Sequence, residues 1–509
     1  MWATWPAVHY ADDHYLARPA AGYGEAAAGD HLQLGWAFWL PGHQIESGHA
    51  PWVDPYSFRP EATAAPNLQG WLLGVPFWPL RHLLGNILAY NLLVLLSVVG
   101  AGGVACMWLR SLGLVRTAAL VGGLVFALAP YRVGQSTGHL LGLIAFLLPA
   151  VLLALERRRF VWAALALAAI PLCGQIHLAL GAVVLSLGYT WARVPRADWW
   201  KAVAGAAGAT ATTIVVQQVI VAGSVIGGGR SFDQVRHYSA ELSDFFTRGV
   251  GAGIEEYVFL GWLTPLLALV GLWAVWRDRR LALFLSLATV IPCVLALGAN
   301  APLYEPLWRA LPPLRFARVP ERLMPIACLA IAALVAHAVA LVLARTGGSR
   351  TRNGWAVATG TGVLLLALAL DVSVPVFGAV TPDRRSAAYA AIRGDGRLLE
   401  LPVFSPEIHY GSVYLAYARQ SPRERPQGYS TTARPASGTL SRTLRGASCG
   451  YGSLPPGLRI RFVAVHRGLY RQSSWFAADC ANRAEAALRR GGWTLLARDA
   501  AISSWEAPP

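Results

Sequence analysis

The chain has 509 residues, of which 55% are hydrophobic and only 14% charged, with a formal net charge of +16. Soluble domains carry about a quarter of their residues as charged ones, so a soluble enzyme is excluded. The excess positive charge is arginine, with Lys201 the only lysine. No basic cluster interleaved with aromatics offers a nucleic-acid surface, so no such partner is expected.

Taken in order, Trp2, Trp5 and Pro6 read like the last turn of a span at a membrane interface. No basic stretch followed by an apolar run marks a signal peptide, and the expectation is a start inside, or just after, a first transmembrane helix. Residues 9–66 are polar to mixed, with aromatic clusters. Residues 68–80 are apolar, but thirteen are too few to cross about 30 Å of hydrocarbon, and Pro76 and Pro79 interrupt them. That segment is expected along the interface or as a re-entrant element. Ten spans follow, at about 84–109, 117–131, 139–155, 160–174, 177–192, 202–222, 258–276, 281–298, 323–344 and 355–373.

Arginine sets the orientation. Alternate connections carry Arg110 and Arg116; Arg157, Arg158 and Arg159; Arg193, Arg196 and Lys201; Arg277, Arg279 and Arg280; and Arg345, Arg350 and Arg352. These five loops are expected in the cytoplasm. Then 9–83, 131–139, 223–257, 299–322 and everything after about 374 face outward. Beyond the last span the pattern changes to short strands at 398–403, 410–418, 460–466, 493–497 and 501–505, with a short helix at 484–490. This is a small α/β or α+β domain. The expected division is a first outer loop (1–83), a bundle of about ten helices (84–373) and a C-terminal extracytoplasmic domain (374–509).

The chemistry should lie in the outward segments. Asp30 stands directly before the aromatic run Trp36, Phe38 and Trp39, a short amphipathic segment, and supplies a carboxylate at a membrane surface. The competing reading is capping of a helix that begins near His31. Asp12 and Asp13 are a second acidic pair, competing with simple solvation. Arg132 and His139 sit at the outer ends of two spans and suit an anionic headgroup, against interface anchoring by Tyr131 and Arg132. Gln175 and His177 point to a polar cavity between short spans. Arg315, Arg318 and Arg322 oppose the usual charge bias, which a phosphate would explain through paired hydrogen bonds, against pairing with Glu321 and lipid headgroups. Glu255 and Glu256 offer a second carboxylate near Asp30, against a hydrated loop end. Cys449 and Cys480 can form a disulfide if their domain is extracytoplasmic, whereas Cys106, Cys173, Cys293 and Cys328 read as small buried residues. No P-loop, dinucleotide fingerprint or zinc motif occurs, so ATP-driven transport and redox chemistry have no support. No metal ligands are assigned, and a divalent cation (Mg or Mn) is left open.

Several short pieces together resemble bacterial GT-C-type membrane glycosyltransferases and the related YfhO-like membrane proteins. They are Gly29-Asp30 with Trp36 and Trp39, the stretch from Gly48 to Trp52, Ala89-Tyr90-Asn91, the stretch from Phe126 to Arg132 with Gly138-His139, Arg318 to Arg322, and a terminal domain opening with Leu399-Glu400-Leu401-Pro402. The resemblance implies a bundle of about eleven helices whose first outer loop carries interfacial helices and a catalytic Asp. It implies a polyprenyl-phosphate sugar donor, with Asp30 as the acid/base residue and Arg318 and Arg322 touching the phosphate. The expected function is inverting transfer of that sugar to a cell-envelope glycan, lipid or protein at the outer face of a bacterial plasma membrane. The alternatives are a non-catalytic envelope-assembly or binding protein, and a lipid or polysaccharide transporter.

Overall fold

A computed structural model describes the chain apart from residues 1, 61–64, 222, 225, 228, 251–253, 317 and 347–353. Arg350 and Arg352, two of the arginines used for orientation, lie outside the described residues. The chain packs as two compact units, each assembled from separated stretches. One holds Met1–Trp5, Val94–Gln218 and Gly228–Phe377, and the other holds Pro6–Leu93, Val219–Gly227 and Gly378–Pro509.

The first unit is helical. Its helices are Arg116–Leu128, Pro130–Gln135, Leu140–Ile144, Leu147–Glu156, Phe160–Leu172, Ile176–Arg193, Trp199–Val221, Leu263–Val275, Arg279–Ala296, Met324–Thr346 and Gly354–Val372, with shorter turns between. Each expected span has a helical counterpart, although the one at 139–155 breaks at Ala145 and Phe146. Among the described residues four helices are long and apolar enough to cross a membrane, Trp71–Ser111 included, and five apolar helices are shorter. At 1.5 Å per residue a thirteen-residue helix reaches only about 20 Å, which is why periodicity alone leaves such segments ambiguous. The protein is a multi-pass membrane protein, and its lipid-facing positions such as Val161, Leu165, Leu266 and Leu269 are exposed and apolar.

Met324–Thr346 is the most buried of the long apolar helices. Small residues let its neighbours approach backbone to backbone. A Cβ on Gly271 would lie 1.8 Å from the Leu334 carbonyl oxygen, and one on Gly122 would lie 2.9 Å from that of Ala332. No larger residue fits at Gly271 without moving the helix.

The second unit combines residues 6–93 and 219–227 with the terminal domain. Strands β1 (His14–Ala17) and β4 (Gly378–Pro382) pair antiparallel, and β2 (Val53–Asp54) pairs with β3 (Ala65–Pro66). A four-stranded sheet orders β5 (Arg397–Leu401), β6 (Ile460–His466), β8 (Ile502–Glu506) and β7 (Thr494–Arg498), with β5 and β6 parallel and the other pairs antiparallel. Leu399, Leu401, Val463, Val465 and Trp505 alternate onto one buried face, against Leu488 of the helix Cys480–Arg490. A disulfide joins Cys449 to Cys480 at the start of that helix. One expected strand is wrong: 410–418 forms the helix Ser412–Ala418, with every residue buried. Tyr414 and Tyr417 suggest a strand by propensity, but burial on all sides removes the alternation that distinguishes strand from helix.

In the same unit Asp30–Glu46 is a seventeen-residue helix. It is less amphipathic than the sequence suggests, since Trp36, Phe38, Trp39 and Leu40 are all buried. The expected interfacial segment begins the helix Trp71–Ser111, which leaves helical geometry at Gly85, where φ is +78° and glycine costs least. Residues 71–84 are thereby set apart from the span that follows. Glu46 ties the two helices, accepting hydrogen bonds from Trp78 Nε1 (2.6 Å), Arg81 Nη2 (2.5 Å) and His82 Nε2 (2.7 Å). Against the cost of burial, these bonds, Arg81's foremost, bring its carboxyl down to about 2.

Candidate active site

Asp30 is the first residue of its helix, and Gly29 takes the capping position ahead of it. A carboxylate in the first turn is favoured by the helix dipole. The hydroxyl of Tyr429 donates to Asp30 Oδ1 at 2.9 Å, and Gln33, one turn on, donates through Nε2 to the Tyr429 carbonyl at 3.2 Å. Asp30 is half-buried.

The approach to Asp30 is fastened at nearly every residue. Glu25 Oε2 meets His466 Nδ1 at 2.6 Å, with both side chains fully buried. The Ala26 N–H donates to the Tyr417 hydroxyl (3.2 Å), the Ala27 N–H to Thr381 Oγ1 (3.0 Å) and the Gly29 N–H to Ser412 Oγ (3.1 Å). His31 Nε2 lies 3.1 Å from Thr381 Oγ1. Burial lowers the His31 imidazole to about 4, with Asp30 acting in the opposite sense, so His31 is neutral at physiological pH. His409 is also held below its ordinary value by burial, again opposed by Asp30.

Behind His466 the network continues. Its Nε2 lies 2.9 Å from the Tyr389 hydroxyl, which donates to Glu400 Oε1 at 2.5 Å, and Arg425 Nη1 donates to the same oxygen at 2.8 Å. Burial raises the Glu400 carboxyl, and Arg425 opposes it. This chain of buried polar groups fixes the segment that carries Asp30 on the terminal sheet.

In the helical unit, four predicted residues come together around Gln135. Arg318 and Arg322 both pair with Glu255 Oε1, the latter at 3.5 Å. Arg322 Nη1 donates to Gln135 Oε1 at 3.2 Å, and His139 Nδ1 lies 2.6 Å from that oxygen. The Arg318 guanidinium lies 4.6 Å over the ring of Tyr238. Nearby Arg230 has its charge disfavoured by burial and then by Arg318, and its Nε is buried with no hydrogen-bond partner among the described residues. A surplus of cations over Glu255 therefore gathers here. Beside it runs a 580 Å³ cavity lined by Arg322, His177 and Tyr304 and by apolar side chains such as Val184, Phe284 and Leu323. The cavity expected to be polar at His177 is thus apolar over most of its wall.

Other predicted residues are placed elsewhere. Arg132 is fully buried and donates to the carbonyls of Phe126 (3.2 Å) and Gly142 (3.0 Å), which makes it an internal brace of a broken helix. Asp12 and Asp13 are exposed, and Asp13 Oδ1 lies 2.6 Å from Nδ1 of its neighbour His14. Glu256 is half-buried. Glu255 and Asp30 belong to different units, and Glu255 is engaged by arginines. Among the described residues no group of three or more His, Cys, Asp or Glu side chains is placed to hold a metal ion.

No family model matches the chain, and no curated protein matches it by sequence. Solved structures do. The arabinofuranosyltransferase AftD from Mycobacteria overlays with a TM-score of 0.58 at 17% identity, covering 97% of this chain and 40% of that one. A mutant form of AftD gives 0.58 at 16% identity, over 98% and 40%. Over nearly its whole length this chain has the fold of that arabinofuranosyltransferase. ArnT from Cupriavidus metallidurans overlays at 0.48 and 15% identity, over 100% of this chain and 97% of that one. The chain spans about two fifths of the length of AftD.

Within this fold, sequence reasoning missed Tyr429, Gln33, His409, Gln135 and Arg230. Tyr429 is separated from Asp30 by 399 positions, so no local pattern connects them. Gln33 was legible in principle, because a residue three places after Asp30 on a helix shares its face.

Proposed function

We propose that this chain is a GT-C-type glycosyltransferase that moves a sugar from a polyprenyl-phosphate donor to a cell-envelope acceptor on the outer face of a bacterial plasma membrane. The observation that carries this reading is Asp30 itself, a half-buried carboxylate at a helix start, oriented by the Tyr429 hydroxyl and by a fastened approach. That is how a general base is built: aligned first, then tuned.

Asp30 takes the proton of an acceptor hydroxyl as its oxygen attacks the anomeric carbon. The bond from that carbon to the phosphate oxygen breaks, and the phosphate leaves with the electron pair, inverting the centre. In the helical unit, the 580 Å³ apolar cavity suits an isoprenoid chain, and Arg322 in its wall suits the phosphate that ends such a chain. Arg318 and Arg230 add positive charge, so that three arginines face two carboxylates, Glu255 and Glu321, the latter 3.9 Å from Arg322 Nε.

The test is Asp30→Asn in membranes supplied with labelled polyprenyl-phosphate sugars, run with Mg, Mn or EDTA. Loss of about 10²–10⁴-fold in turnover at equal expression supports the base. Equal turnover in both proteins sinks it. Dependence on the cation arms would add a metal to the reaction.

A further inference from the structure

The second unit holds a cavity of 160 Å³ that no role above uses. Its wall includes Gln33 and Trp36 from the Asp30 helix, Asp54 and Ser57 from the outer loop, and Tyr429 and Ser437 from the terminal domain. We propose that this cavity binds one sugar ring of a glycan acceptor, a proposal that rests on the glycosyltransferase reading and names its acceptor class.

Two observations point to a missing ligand. The Ser57 and Ser437 hydroxyls are buried, with the residues 9% and 0% exposed, and neither has a hydrogen-bond partner among the described residues. A buried hydroxyl left unpaired costs about 1–3 kcal/mol, so native proteins seldom keep two in one cavity unless something fills it. The rest of the wall is also prearranged. Asp54 Oδ1 accepts the N–H groups of Tyr56 (2.9 Å) and Ser57 (3.3 Å), which fixes its carboxylate. Trp36 stacks on Trp39 with ring centroids 5.1 Å apart, giving a rigid aromatic wall.

Hydroxyls, an amide, a carboxylate and an indole match vicinal hydroxyls and the C–H face of a sugar. A lipid acceptor would leave these polar groups unpaired, and a peptide would need a longer groove with backbone partners. The volume is below the roughly 300–1,000 Å³ of drug-sized sites, so it holds one small ring. Its position fits the chemistry, because the tyrosine in its wall is the one that holds Asp30. A ring hydroxyl turned toward Tyr429 therefore approaches the base.

The experiment uses the full chain in lipid nanodiscs and saturation-transfer NMR with a panel of methyl pentofuranosides and methyl hexopyranosides. At least one glycoside is expected to receive saturation. That signal should fall at least tenfold in Ser437→Leu, which fills the cavity, and in Gln33→Ala, which does not crowd it, with both variants checked for unchanged thermal unfolding. Asp30→Asn should keep glycoside binding while losing transfer. The subsite is overturned if no glycoside receives saturation, if both cavity variants bind as the parent does, or if a peptide or lipid alone accepts the sugar. Normal turnover in Asp30→Asn would sink the catalytic reading and leave the glycoside result standing, so the two failures are distinguishable.

Discussion

The Tyr429 hydroxyl donates to Asp30 Oδ1 at 2.9 Å, so the carboxylate offered as the base is aimed by a residue from the far end of the chain. Tyr429→Phe removes that donor and leaves the ring. A hydrogen bond to a charged group is worth about 1.5–3 kcal/mol, so kcat should fall by a factor of about ten or more. Losing a donor also raises a carboxylate's pKa. The acid limb of the pH–rate profile should therefore move to higher pH, as initial rates between pH 4 and 8 would show. An unmoved limb would mean that Tyr429 serves packing alone.

Arg322 stands in the wall of the apolar cavity and shares Glu255 with Arg318. Arg322→Ala should raise the KM for the lipid-phosphate donor about tenfold with a smaller change in kcat. Arg322→Lys should recover only part of the loss, since lysine lacks the paired geometry of guanidinium. Titrating donor at fixed acceptor concentration decides it, and an unchanged donor KM would place the phosphate elsewhere.

His31 is buried with its pKa near 4, against about 6.5 in an unfolded chain. Between those values the unfolded state binds the proton and the folded state refuses it, so stability must fall as pH drops through this window. The full difference corresponds to about 3 kcal/mol at most. Thermal unfolding in detergent should show a drop in Tm from pH 7 to pH 4.5 that is smaller in His31→Gln. Identical slopes in the two proteins would show that His31 is solvated.

The Cys449–Cys480 disulfide closes a loop across 31 positions. On the chain-entropy account such a bridge stabilises by about 3–4 kcal/mol. The double variant Cys449→Ser with Cys480→Ser should lower the Tm of the terminal domain by several degrees. A thiol-reactive label should reach these cysteines in the parent only after reduction. Labelling without reductant would contradict an oxidising compartment.

The helices at the ten expected positions and most terminal strands were legible because a bilayer and a one-sided sheet impose simple periodicities on a sequence. Asp30 was legible as a carboxylate beside an aromatic run. What surrounds it was not, because Tyr429 reaches it, and Ser412 and Thr381 reach its neighbours Gly29 and His31, through tertiary contacts that no window of sequence contains. The helix Ser412–Ala418 was misread for a related reason, since total burial erases the polar face that would have shown its period. Arg132 was misjudged because an arginine at a helix break serves carbonyls as readily as it serves a phosphate. The arginines of 318–322 stood out by opposing the charge bias, yet their link to His139 runs through Gln135, a residue with no distinguishing pattern.

The unit that carries Asp30 is made of residues 6–93, 219–227 and 378–509, with the other unit's stretches 94–218 and 228–377 lying between them in the chain. Along the chain the aspartate precedes the helices of the other unit, whereas its tyrosine, its serine anchor and the histidine that grips Glu25 follow them. A nascent or prematurely stopped chain therefore carries the base without its alignment.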